Sequence, residues 1–339
     1  MVRGVAPFAG LNTSLSATVG DSWYGAGNPP YSGYYMGFYY NANPAYPVYN
    51  YALGGQGINQ IVASSAAIIT SRAHVVSMSV GRNDFMNDFY GLGYTNAQLY
   101  DRYITDYLAA INNLKTNLPG VKIVVETITE RSASDGVATG YNALFNSYRP
   151  TLNNQIRAWQ ADGTIAAVVE IGGSLTLGAV GAMTPGGTYS TDGLHLNEGT
   201  PGHGTAAPIF ADTLNRVYSG LPQPIITRTS AVGAQLRFSI ATTGYIIGYY
   251  WRVQVAGNAA FTTPLSAEGA IRDGRRIVTI TDTTDDDLDG IIETDPFDEI
   301  TLTMPAGATF VRICLCRESS DGLSFVDGMW SNYVNTTIV

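Results

Sequence analysis

Between Ser14 and Tyr218, short β-prone runs alternate with helical stretches of ten residues or more. That alternation restricts the fold more than any other feature of the chain. The β-prone runs are Ser14 to Val19, Pro47 to Leu53, His74 to Val80, Val121 to Ile128 and Ile165 to Ile171. Helical patterns cover Ile58 to Arg72, about Asn96 to Leu118, about Ala138 to Gln160 with an interruption near Pro150, and about Ala206 to Tyr218. The helix from Asn96 opens with a capping box, Thr95 and Gln98, and shows an apolar face of Ile104, Tyr107, Leu108, Ile111, Leu114 and Leu118. Trp23 to Tyr46 reads as a long loop. Strands joined through helices this long run parallel, with right-handed crossovers. The expected fold is a three-layer α/β domain whose ligand lies at the carboxyl edge of the sheet.

At Gly220-Leu221-Pro222-Gln223-Pro224 the helical periodicity stops. Seven β runs follow: Ile225 to Thr229, Gln235 to Ile240, Ile246 to Val255, Arg276 to Thr281, Glu299 to Met304, Thr309 to Arg317 and Tyr333 to Val339. They predict an antiparallel β-sandwich over 221–339, after an α/β domain over 1–220. A length of 339 residues suits two domains.

The net charge of −9, with only two lysines (Lys115 and Lys122), leaves no basic stripe to neutralise phosphates, so nucleic acid is not an expected partner. The apolar runs are too short to span a membrane as a helix. Met1-Val2-Arg3 opens a stretch too short and too glycine-broken for a secretory signal, which predicts either a mature chain or export by another route. Cys314 and Cys316 lie two apart in a β run and point to one face. A bridge between them would be badly strained, so buried free thiols are expected.

Four short blocks fall at or just after predicted strand ends, or before the last helix. They are Gly20-Asp21-Ser22, the run from Asn50 to Gly57, Gly81-Arg82-Asn83-Asp84, and Asp192-Gly193-Leu194-His195. A serine past a strand end, at a sharp turn, is exposed as a nucleophile needs to be, but its hydroxyl is inert until a base takes the proton. His195 supplies a base, and Asp192, three residues earlier, can hold the imidazole through its other N–H. A glycine N–H and an asparagine amide can serve a developing oxyanion, and Gly55 and Asn83 fit. Gly54 and Gly57 compete for the glycine role; spacing from Asn50 favours Gly55.

Taken together and in order, the blocks resemble those of the SGNH (GDSL-type) serine hydrolase family over roughly residues 14–218. The resemblance implies the SGNH hydrolase fold, a flavodoxin-like three-layer parallel sheet. It implies Ser22 as nucleophile and one oxyanion donor, Gly55 and Asn83 as further donors, and Asp192 with His195 as the remaining pair. The carboxyl-terminal run from Phe310 to Arg317, with Met329 to Tyr333, is similar to the last strands of fibronectin type III-like modules, which bind, space or assemble.

Bland readings stand beside these. Gly-Asp-Ser alone is only a turn, and Asn83 alone suits one too. His203 lacks an acidic residue at the spacing of Asp192 and reads as a loop residue before the last helix; His74 opens a strand and reads as structural. Arg82 is either a contact for a polar or anionic substrate or a cap on its own loop through Asp84. The stretch from Trp23 to Tyr51 holds nine tyrosines. With Trp23, Tyr24 and, further on, Tyr90 and Tyr94, it suits either a wall for a sugar ring or acyl chain, or packing and subunit contact. Asp285, Asp287, Asp289 and Glu293 resemble the first part of a calcium loop, but Pro296 stands at its twelfth position. A solvated acidic hairpin tip is the preferred reading, with calcium second and no other cofactor implied.

The expectation is therefore a serine esterase with an ester substrate, leaning to O-acetyl groups on carbohydrate. The alternative is an extracellular or virion-surface protein that binds glycan and keeps the hydrolase fold. Assembly into oligomers through the β domain is compatible with both.

Overall fold

A computed structural model describes residues 12–20, 34–43, 45–79, 81–84, 94–132, 141–219, 221, 225–232, 235–241, 250–261, 264–265, 275–277, 297–303, 310–318, 325–331 and 334–335. Ser22, Trp23, Tyr24, Tyr90 and the acidic residues Asp285, Asp287, Asp289 and Glu293 lie outside them. The chain divides into two compact units. One comprises Met1–Ile156, Val168–Gly172 and Leu177–Phe210; the other comprises Arg157–Ala167, Gly173–Thr176 and Ala211–Val339.

The α/β architecture rests on a five-stranded parallel sheet of β1 (Asn12–Gly20), β2 (Val48–Asn50), β3 (Ala73–Ser79), β4 (Lys122–Glu126) and β5 (Ala167–Val169), in the order β2-β1-β3-β4-β5. Thr18 of β1 pairs with Asn50 on one side and Ser77 on the other, and Gly20 pairs with Ser79. Val75 and Val76, like Ile123, Val124 and Val125, are consecutive and fully buried, as strands covered on both faces must be. The helices are α1 (Tyr35–Ala42), α2 (Ile58–Ser71), α3 (Asn96–Asn117), α4 (Tyr141–Ala161) and α5 (Gly202–Tyr218). The capping box of α3 forms as expected: Thr95 Oγ1 accepts from the Gln98 N–H at 3.4 Å, and Gln98 Oε1 accepts from the Thr95 N–H at 2.9 Å. Its buried face is turned toward Tyr103, Tyr107, Ile111 and Leu114, with Ile104 and Leu108 only half-buried.

Two expectations need correction. The stretch read as loop up to Tyr46 contains α1, where Tyr35, Met36 and Tyr39 are buried and the two tyrosine rings meet Phe210 edge-on at 5.2 and 5.8 Å. Tyrosine, glycine and asparagine are weak helix formers, so this short helix owes its stability to packing. And α4 runs through Pro150 without a break. Pro150 is exposed, while Phe145 before it and Leu152 and Ile156 after it are buried on one face, which holds the helix through the lost hydrogen bond.

The carboxyl-terminal region is antiparallel throughout its pairings. One sheet orders β11 (Phe297–Thr303), β7 (Gln235–Ala241) and β6 (Ile225–Val232). The other orders β10 (Arg275–Ile277), β8 (Tyr250–Ala256), β12 (Phe310–Glu318) and β13 (Phe325–Asp327), with β9 (Pro264–Leu265) on β8 and β14 (Val334–Asn335) on β12. Cys314 and Cys316 on β12 are buried and unbridged. In the same unit Trp330 lies between two guanidinium groups, Arg216 at 4.6 Å and Arg312 at 4.5 Å, and Arg312 also covers Phe261 at 4.2 Å.

Candidate active site

The carboxyl ends of β1 and β2 are tied before either chain turns away. Thr18 Oγ1 donates to Asn50 Oδ1 at 2.9 Å, and the same oxygen accepts from the Ala52 N–H at 3.0 Å. Tyr51 N–H then bonds Thr18 O at 2.8 Å and Leu53 N–H bonds Gly20 O at 3.1 Å. These bonds carry the glycine block alongside the end of β1, two residues short of Ser22. Gly20 itself must be glycine, because a Cβ there would stand 2.2 Å from Ser79 O. Gly54 and Gly55 are exposed, and Gly55 takes a φ of +78°.

The block after β3 closes onto the block after β2. Asn83 Nδ2 donates to Gln56 O at 3.0 Å, which uses one of its two N–H groups. Asp84 Oδ1 accepts from the Ile58 N–H at 2.7 Å, at the first turn of α2. Arg82 is buried to 5% exposure. Tyr94 packs on α3, its ring 5.6 Å beneath the Arg102 guanidinium and its hydroxyl 3.3 Å from Arg102 Nη1.

Asp192 and His195 form a close pair, with Asp192 Oδ2 at 2.6 Å from His195 Nδ1. The other oxygen, Oδ1, accepts from the backbone N–H groups of His195 at 2.7 Å and Leu194 at 2.8 Å. One carboxylate thus fixes both the ring and the turn that carries it. Burial acts to raise the Asp192 pKa, but these bonds and the imidazole outweigh it and hold the acid at about 2. An ionised Asp192 can only accept, so Nδ1 carries a hydrogen, and in the neutral ring the lone pair is then on Nε2. Both side chains remain open to solvent, at 38% for His195 and 49% for Asp192.

The loop bearing this pair is anchored to the chain that leaves β4. Ser132 N–H bonds Gly193 O at 2.8 Å, and Glu130 Oε1 accepts from the Met183 N–H at 3.0 Å.

His203 corrects its sequence reading. It lies in the first turn of α5, not in a loop, and is buried to 1% exposure against Tyr34 at 4.2 Å and Tyr35 at 5.3 Å between ring centroids. Burial, with a smaller push from His195, lowers its pKa to about 3. Of the tyrosine-rich stretch, Tyr35 and Tyr39 belong to the core, while Tyr49 stays 46% exposed. The sequence reading gave no role to Asn50 or to Asp84 as a tie between blocks. The clue to Asp84 was a glycine, with no side chain to cap the helix, standing immediately before α2.

Among the described residues no group of three or more His, Cys, Asp or Glu is placed to hold a metal ion, and no helix is long and apolar enough to cross a membrane.

Residues 13–201 match the family model of GDSL-like lipase/acylhydrolase. No curated protein matches the sequence. Among solved structures, a member of the lipolytic protein G-D-S-L family from Veillonella parvula is 16% identical, with 60% of this chain and 99% of that chain covered at a TM-score of 0.45. A catalytic mutant of Axe2, an acetylxylan esterase from Geobacillus stearothermophilus, is also 16% identical, with 60% and 92% covered at a TM-score of 0.42.

Proposed function

The chain belongs to the GDSL-like lipase/acylhydrolase family, whose members act on esters, and from that premise we propose that it is a serine esterase working through an acyl-enzyme on Ser22. The observation that carries the proposal is the Asp192–His195 pair, 2.6 Å apart and exposed, with Nε2 left to take a proton.

In this mechanism Ser22 Oγ attacks the ester carbonyl carbon and its proton passes to His195 Nε2. Asp192 keeps the ring in the required tautomer and stabilises the imidazolium. The N–H groups of Ser22 and Gly55, with the second N–H of Asn83, receive the oxyanion. Collapse expels the alcohol, protonated by His195. Water, deprotonated by the same imidazole, then releases the acid and restores Ser22.

The substrate proposed is an O-acetyl ester on carbohydrate, supported by the aromatic residues Trp23 and Tyr24, which follow the nucleophile in sequence, and by Arg82 and Tyr90, in and just after the block that carries Asn83. The region 221–339 carries no chemistry in this mechanism. Hydrolysis of a short-chain nitrophenyl ester tests the reaction class. Turnover that disappears in Ser22→Ala supports it; no hydrolysis above the Ser22→Ala level overturns it. Release of acetate from acetylated glycans tests the substrate.

A further inference from the structure

Gly55 and Asn83 come from different segments, one after β2 and one after β3, so two oxyanion donors keep a useful spacing only if those segments are locked together. We infer that Asp84 is the positioning residue that locks them, an inference that rests on the esterase reading above.

The start of α2 shows why. Its N-cap is Gly57, which has no side chain with which to satisfy the first free N–H groups of the helix. Gln60 Oε1 takes the N–H of Gly57 at 2.9 Å. The N–H of Ile58 is taken instead by Asp84, from 26 residues further along the chain. A carboxylate at a helix N-terminus is also favoured by the helix dipole. The helix has in effect given up its own cap and borrowed one from the block that carries Asn83.

Gly57 makes room for that exchange. A Cβ there would stand 2.6 Å from Asp84 Oδ1 and 3.1 Å from its Cγ. Two bonds from adjacent residues, Asn83 to Gln56 O and Asp84 to Ile58 N–H, therefore bracket the loop between Gly55 and α2. The first alone leaves a pivot; the second removes it. Asp84 does not touch the substrate. It fixes where the free N–H of Asn83 points relative to Gly55.

The test measures kcat and KM on a short-chain ester for Asp84→Ala, Asp84→Asn and Gly57→Ala, alone and combined with Asn83→Ala, with melting temperatures to show that each variant is folded. A misplaced donor acts on the transition state, so Asp84→Ala should lose roughly 10- to 100-fold in kcat with KM little changed. Asp84→Asn keeps an acceptor oxygen and should restore most of the rate. Gly57→Ala displaces the carboxylate without removing it and should reproduce the loss. In the Asn83→Ala background, Asp84→Ala should cost no more than about 3-fold, since the donor it positions is gone. An equal cost in both backgrounds, an effect confined to KM, or an Asp84→Asn as impaired as the alanine variant overturns the proposal. The esterase reading is judged separately. If Ser22→Ala keeps its activity that reading fails; if Ser22→Ala and Asn83→Ala lose activity while Asp84→Ala does not, only the lock fails.

Discussion

Asp192 accepts four hydrogens from a single turn: the Nδ1–H of His195 at 2.6 Å, the backbone N–H groups of Leu194 and His195, and the Ser190 hydroxyl at 3.3 Å. The carboxylate that orients the imidazole also builds the turn presenting it, so its removal costs both tautomer and placement.

Asp192→Asn should therefore lower kcat by roughly 10²–10⁴. The carboxyl, held at about 2, is ionised throughout the working range. A depressed acid adds stability that is present above its unfolded pKa, about 3.9, and lost as pH falls toward 2. Because the side chain is half exposed, that stability is small, and the melting temperature of Asp192→Asn at pH 7 should stay near wild type. An inactive variant with a strongly lowered melting temperature would assign the loss to unfolding instead.

Asn83 spends one N–H on Gln56 O, and the proposed mechanism assigns the other to the oxyanion. Asn83→Ala should reduce kcat by roughly 10²–10³ with the fold intact. Steady-state kinetics with circular dichroism decide; an unchanged rate places the donor elsewhere.

His203 is buried neutral, its pKa lowered to about 3. Its unfolded pKa is about 6.5, so between those values the unfolded chain binds the extra proton and stability falls as pH falls. The full contribution is present above about pH 6.5 and is lost toward pH 3, at a limit of about 1.4 kcal/mol per pH unit. His203→Phe should flatten the melting temperature against pH between 7 and 4. Equal slopes for variant and wild type would show that His203 does not titrate across unfolding.

Arg216 gives the hydrogen bond from Nη1 to Gly328 O at 3.2 Å and covers Trp330, whereas its ion-pair partner Asp212 is 59% exposed. Arg216→Ala should cost roughly 1–3 kcal/mol of unfolding free energy, since it removes a stacked cation and leaves a buried carbonyl unpaired. Asp212→Ala should cost less than about 1 kcal/mol. Urea denaturation followed by tryptophan fluorescence compares the two; equal losses would make the ion pair the dominant contact.

The strands of the parallel sheet were legible because each is a short β-prone run set apart from the helical patterns, and α3 because Thr95 and Gln98 mark its start. α1 was not legible, since its tyrosines and glycine carry no helical preference and contacts distant in sequence, with Phe210 and His203, give it a face. β9 and β13, of two and three residues, are too short to show a period and exist by pairing with β8 and β12. In the candidate site, Asp192 and His195 are three apart and were legible by spacing alone. The tie from Asp84 to Ile58 was not, because no local pattern announces a cap 26 residues away.

The central claim is that Ser22 becomes covalently acylated with His195 as its base. Treating the protein with a fluorophosphonate and mapping the modified peptide by mass spectrometry tests it most directly. The account predicts one added phosphonyl group on Ser22, absent in Ser22→Ala and slowed by orders of magnitude in His195→Ala. Stoichiometric labelling of another residue, or ester hydrolysis that persists in Ser22→Ala, would contradict it.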